Sequence, residues 1–145
     1  MELFTIGFTK STAERFFTRI ADAGVKCVMD IRLNNSSQLA GFAKATDLPY
    51  FLQELVGAKY VHEPLLAPTP ELLAQAKRAG ADWTFFEQQF RRLLRSRQIE
   101  TTLARDTFGE PTVLLCSEAT AEHCHRRLVA EYLQAEWSGL RVAHL

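Results

Sequence analysis

Apolar residues recur along this chain with two different spacings, and the two alternate. A short apolar run, LFTI (Leu3 to Ile6), stops at Gly7. Beyond it Ala13, Phe16, Phe17 and Ile20 repeat at helical spacing. Ser11 with Glu14 forms a Ser-x-x-Glu capping box for that helix, which runs to Ala23, and Gly24 supplies its stop. VKCVMDIR (Val25 to Arg32) is then a second strand. Strand, helix and strand at this spacing predict a βαβ unit with parallel strands.

The pattern repeats downstream. A small, polar loop over residues 33–46 leads to a helix, LPYFLQELV, capped by Thr46 or Asp47 and ended by Gly57. A third strand covers Lys59 to His62. After the EPLLAPTP loop, Thr69 caps and Pro70 opens a helix to about Arg78. Asp82 caps a longer helix from Trp83 to about Arg97, and a short one follows near Ile99 to Arg105. TVLLC (Thr112 to Cys116) is wholly apolar and therefore central in the sheet. A helix from about Thr120 to Trp137 and a terminal strand in RVAHL complete the chain. The predicted fold is a single α/β domain over residues 1–145, with a mostly parallel sheet of about five strands flanked by helices.

Composition narrows this picture. At 145 residues, with 47% hydrophobic and 23% charged residues, the chain suits one ordinary globular domain with a real core. A formal net charge of zero removes any global case for nucleic acid, leaving only local patches. No apolar run reaches membrane-spanning length, and MELFTIGF lacks a basic signal-peptide region. Three scattered cysteines suit a reducing cytoplasm, where we expect this protein, better than a disulfide scaffold.

In parallel sheets, sites form beyond the carboxyl ends of the strands. Here those ends carry Gly7 to Lys10, Asp30 to Asn35, His62, and Cys116 to Glu118. The last group opens LCSEATAEHCHRR, the densest chemistry in the chain. With Cys124 at zero on a helical wheel, Leu128 falls near ~40°, Tyr132 near ~80°, Val129 near ~140°, and His125 near ~100°. Cys124 and His125 then face the sheet, while Arg126, near ~200°, flanks the apolar stripe. Cys116, Glu118, Cys124 and His125 are thus expected to converge. Three readings follow: a reactive thiol, a metal site, and the ordinary buried end of a strand. A thiolate beside His, Arg and a helix N-terminus is favoured electrostatically. Cys116, Cys124 and His125 are donors that suit Zn or Fe, with His62 or Asp30 as further ligands, although the thiol spacing is not that of a zinc finger.

Other signals are weaker. GFTKS lies between a strand and a helix but lacks the length and second Gly of a phosphate loop, so no nucleotide cofactor motif is present. Asp30 and Arg32 share one strand face, as a structural ion pair or as functional groups. Arg91, Arg92 and Arg95 line the polar face of their helix, as a solvated surface or a nucleic-acid contact, with Trp83 and Phe85 nearby in the core. His144 and Cys27 are expected to be packing residues.

Taken in order, TIGF, DIR, YVHEP and CSEATAEHCHRR make the chain similar to a bacterial and archaeal family, domain of unknown function 488. That family's pattern is T-I-G-(aromatic or His)-(Ser/Thr), then D-(V/I)-R, then an aromatic-x-His-x-Pro segment, then C-x-E-x5-C-H-R. The resemblance spans essentially the whole chain and carries over to Thr5, Gly7, Thr9, Asp30, Arg32, His62, Cys116, Glu118, Cys124, His125 and Arg126. Two loops depart from it: LNNSSQLAGF replaces a proline-containing segment, and LLAP replaces Leu-Gly-Gly. Substrate preference is therefore expected to differ from that of other members.

The resemblance implies a site but no reaction. The first functional expectation is an enzyme acting on a small anionic or nucleotide-like substrate. Cys116 would be nucleophile or metal ligand, and Glu118 acid/base. Cys124 and His125 would complete the catalytic set. Gly7, Thr9, Asp30, Arg32, His62 and Arg126 would bind or orient the anion. The alternatives are a non-catalytic nucleic-acid or protein binding module, and a metal-binding protein without turnover.

Overall fold

The computed structural model of the protein describes residues 1–36 and 40–145. Part of the predicted 33–46 loop, residues 37–39, lies outside the described residues. The described strands are β1 (Glu2–Gly7), β2 (Cys27–Asp30), β3 (Lys59–His62), β4 (Thr112–Cys116) and β5 (Arg141–His144). They form one sheet in the order β3-β2-β4-β1-β5, and every pairing is parallel. The α-helices are α1 (Ala13–Asp22), α2 (Leu48–Val56), α3 (Pro70–Ala76), α4 (Trp83–Ser96), α5 (Ile99–Thr102) and α6 (His125–Glu136). One-turn 3₁₀ helices at Gly41–Ala43, Pro64–Leu66 and Arg105–Phe108 tighten the connections.

The chain runs from β1 outward to β3, then returns to place β4 between β1 and β2. With right-handed crossovers, segments travelling in opposite directions cover opposite faces of the sheet. Two apolar cores result. Phe16, Phe17, Leu48 and Leu52 pack from α1 and α2 onto Ile6, Val28, Val113 and Leu115. Phe86, Phe90, Leu128 and Leu133 pack from α4 and α6 onto Leu3, Met29 and Leu114. β4 is buried at every position, as its unbroken apolar run requires. Among the described residues no helix is long and apolar enough to cross a membrane.

Several boundaries differ from the sequence reading for local reasons. The cap of α1 is Thr12, whose hydroxyl accepts from the Arg15 N–H at 3.1 Å. Ser11 is used one residue earlier, its N–H closing a turn onto the Phe8 carbonyl at 3.0 Å. Lys10 takes φ 59° inside that turn, so the helix cannot start before Thr12. β2 is confined to Cys27–Asp30, because the Asp30 carboxylate bonds back to the Arg32 N–H and bends the strand out of the ladder. α6 starts at His125, five residues later than the helical wheel assumes. Phe85 is 41% exposed rather than core.

Substituting Thr12→Ala should cost about 1 kcal/mol, whereas Ser11→Ala should change stability by only a few tenths. Urea unfolding of the two variants distinguishes the caps.

Candidate functional site

The parallel register decides what meets at the carboxyl edge. Gly7 pairs with Cys116, and Asp30 with Leu115, so Ile31 comes alongside Cys116. The Ile31 N–H continues onto the Leu115 carbonyl at 3.1 Å. Side chains alternate across the sheet. Cys116 therefore points to the α4–α6 face with Leu114, whereas Asp30 and Arg32 lean to the α1–α2 face.

On that second face Asp30 is fully buried and saturated. It accepts from Arg32 Nε and Nη2, both at 2.8 Å, and from the Tyr60 hydroxyl at 2.6 Å. Arg32 also donates to the Ala43 carbonyl at 2.6 Å and lies over the Phe8 ring, 5.1 Å from its centroid. Burial and the Asp30 carboxylate hold the Tyr60 phenol well above its ordinary range. His62 Nε2 bonds the Arg32 carbonyl at 2.9 Å. Asp30, Tyr60 and His62 thus shape the chain after β2, and Arg32, its guanidinium committed to Asp30, borders the cavity described below.

On the first face a second buried set forms. Cys116 Sγ lies 3.4 Å from His125 Nδ1, and His125 Nε2 lies 2.9 Å from the Ile31 carbonyl. A carbonyl accepts only, so Nε2 carries a proton and Nδ1 faces the sulfur. Phe90 meets the His125 ring edge-on at 5.5 Å, fixing its plane. Cys124 caps α6 in extended backbone geometry. The ligand atoms of Cys116, Cys124 and His125 all fall within 4.8 Å of one another. The Cys116 thiol is held below its ordinary range, first by the Cys124 S–H, then by the Ser117 and Glu118 amides and the Arg126 charge, against the cost of burial. Cys124 is in turn pushed strongly upward by Cys116 and by burial.

Arg126 is 1% exposed, not flanking as the wheel placed it. The late start of α6 turns it under the 117–124 loop, where it donates to the Glu118 carbonyl at 2.5 Å and approaches Cys124 Sγ at 3.7 Å. Its Nε reaches the buried Thr5 hydroxyl at 3.4 Å. Gly7 is required there, since a Cβ would fall 1.6 Å from the Glu118 carbonyl oxygen. Thr9 binds the Ser117 carbonyl through both its N–H and its hydroxyl, at 3.0 and 2.6 Å. Gly7, Thr9 and Arg126 therefore hold the loop over Cys116. Glu118 contributes its carbonyl to this grip, and its side chain is exposed at the rim.

Cys116, Cys124 and His125 open onto a cavity of about 790 Å³, with Arg32, Lys77 and Asp82 among its polar walls. Sequence reasoning passed over two of its aromatic walls. Trp83 stacks on His123 and on Phe86, each at 5.1 Å, and Phe86 stacks on Phe90 at 5.7 Å. A column of rings thus runs from His123 at the rim to His125 at the base. The helical spacing of Trp83, Phe86 and Phe90 was the available signal. His62 and Asp30 do not join the three-donor cluster. Cys27 is buried at the amino end of β2, with its thiol raised by burial. His144 bonds the Thr5 hydroxyl at 2.7 Å. Arg91 is engaged by Glu87 and Glu131 at 3.2 and 2.5 Å in a network with Arg127 that ties α4 to α6, while Arg92 and Arg95 are exposed.

Replacing Gly7 by Ala should destabilise the protein by about 1–3 kcal/mol or more, because both backbones at this contact are fixed. Chemical denaturation measures it, and a Gly7→Ala variant of wild-type stability would contradict the close approach.

No curated protein and no solved structure matches the chain significantly. The family model described as "Domain of unknown function DUF488" matches residues 12–133. With that match covering most of a parallel α/β domain whose central strand ends at a Cys-His pair, the chain belongs to the DUF488 family.

Proposed function

We propose that the protein is a thiol-dependent enzyme acting on a small substrate with an anionic group, of the size of a nucleotide or smaller. The observation that carries this reading is the Cys116–His125 pair, whose proton positions are set by the Ile31 carbonyl. A nucleophile, a base and a group orienting the base form the arrangement that activates a weak nucleophile. Transfer of the Cys116 proton to Nδ1 gives a thiolate beside an imidazolium that still donates through Nε2 to Ile31. The Ser117 and Glu118 amides, the Arg126 guanidinium and the N-terminus of α6 all favour that charge. Lys77 stands on the cavity wall as a partner for a substrate anion, Arg32 borders the cavity with its guanidinium committed to Asp30, and Glu118 and His123 at the rim are the exposed proton carriers.

One observation favours a second reading. Cys116, Cys124 and His125 form a compact three-donor set, and the distal nitrogen of His125 is tied to a carbonyl, as in histidines that ligate metal. Such a set would hold Zn or Fe with a fourth position open to the cavity. Elemental analysis of untagged protein separates the two. The thiol reading expects metal-free protein, and stoichiometric metal that disappears in Cys116→Ser would replace it with the metal reading.

Because the Cys116 pKa is lowered, its thiolate persists at pH values where an ordinary thiol, titrating near ~8.5, is protonated. Iodoacetamide should therefore alkylate Cys116 with a midpoint below that range, and His125→Gln should move the midpoint upward. An upward move of about one unit lowers the rate at pH 6 about tenfold. Peptide mapping by mass spectrometry across pH 5–9 reads both. A wild-type midpoint at or above the ordinary value would overturn the thiolate assignment.

A further inference from the structure

The cavity holds a second thiol that a single-nucleophile mechanism leaves without a task. Cys116 and Cys124 are both free, and their sulfurs lie within the 4.8 Å cluster. A disulfide needs its sulfurs about 2.05 Å apart and its Cα atoms roughly 4.4–6.8 Å apart. Cys124 precedes the first residue of α6 and has φ −135° and ψ 139°. Its sulfur can therefore approach Cys116 by side-chain rotation and a shift of the loop beyond its pinned residues Ser117 and Glu118, without unwinding a helical turn or disturbing β4. The two sulfurs also divide the work: Cys116 is the one in contact with the His125 base, while Cys124 stands on the loop that precedes α6. Arg126 lies beside both, so charge passing from one sulfur to the other stays compensated. Cys27 pairs in register with Thr112 at the opposite end of β4, which keeps the third thiol out of reach.

We propose that Cys116 and Cys124 form a dithiol–disulfide couple that reduces a small anionic disulfide, with Cys116 as the attacking and Cys124 as the resolving thiol. This deepens the thiol-enzyme reading and rests on it. The Cys116 thiolate attacks one substrate sulfur, and the substrate S–S bond breaks. The first thiolate product leaves with the proton held on His125 Nδ1, and a mixed disulfide remains on Cys116. Neutral His125 then takes the Cys124 proton. Cys124 attacks Cys116 Sγ, the Cys116–Cys124 bond forms and the mixed disulfide breaks. The second product thiolate leaves and takes up that proton. Two electrons pass from the cysteine pair to the substrate, giving two product thiols and one internal disulfide. A low-molecular-weight substrate fits better than a protein disulfide, because Cys116 and Cys124 are only 5% and 2% exposed at the base of the cavity. The cationic group of Lys77 on its wall matches a carboxylate on such a molecule.

Oxidised glutathione is the probe. Reduced full-length protein, incubated with it anaerobically and then alkylated after unfolding, should release two glutathione thiols per chain. Peptide mapping should give a Cys116–Cys124 cross-link with Cys27 still alkylated. Cys124→Ser should release one glutathione and hold the other on Cys116, and Cys124→Ala gives the same readout should the serine variant fold poorly. A wild-type protein that stops at the Cys116 mixed disulfide, as the variants do, would overturn the resolving role while leaving the Cys116 nucleophile intact. A Cys116 that fails to react in wild type and in both variants would overturn the thiolate reading together with this one.

Discussion

Three strand ends stop side by side at the carboxyl edge of the sheet, and the register that aligns them is the constraint on which the rest depends. With Gly7 beside Cys116 and Ile31 on the other flank, β4 delivers a thiol between a position with no side chain and a free carbonyl. The missing side chain admits the backbone of the next loop. The carbonyl fixes a histidine. A shift of one residue in either pairing would reverse the facing of Cys116 and turn it toward the α1–α2 core.

Around this edge the arginines serve structure first. Arg126 is buried with its guanidinium on a backbone carbonyl, a hydroxyl and a sulfur, and Arg32 is locked to Asp30 by a two-pronged ion pair. Burying such charges is tolerable only where their hydrogen bonds are made, and here they are. The positive charge of Arg126 still reaches the site from beside the sulfurs, whereas that of Arg32 is met by Asp30. Arg126 thereby both shapes the loop and sets the electrostatics of the thiols. The α4 aromatic stripe acts in the same way, packing the core at Phe90 while steadying the rings of His125 and His123 at its two ends.

The element order was legible in the pattern of apolar residues. Gly57, Thr69 and Asp82 mark boundaries that the structure keeps, because turn and cap chemistry is local. Thr12 displaced Ser11 because a turn upstream claimed the serine first, which no four-residue pattern can report. The residues of the candidate site were legible as a set, but their division was not. Asp30 and Arg32 lie in a different layer from Cys116. Gly7 and Thr9 act on a loop more than a hundred residues away.

The sequence by itself determined a parallel α/β domain with its central strand ending at Cys116, because apolar periodicity and punctuation are encoded within a few residues. It also placed Cys124 and His125 near that strand end, from a short connection and a helical wheel. Only the tertiary structure decided that α6 begins at His125, that Arg126 is buried, and that Ile31 supplies the carbonyl orienting the imidazole. Each of these is a contact between segments distant along the chain, and such contacts are set by strand order and register rather than by any local pattern.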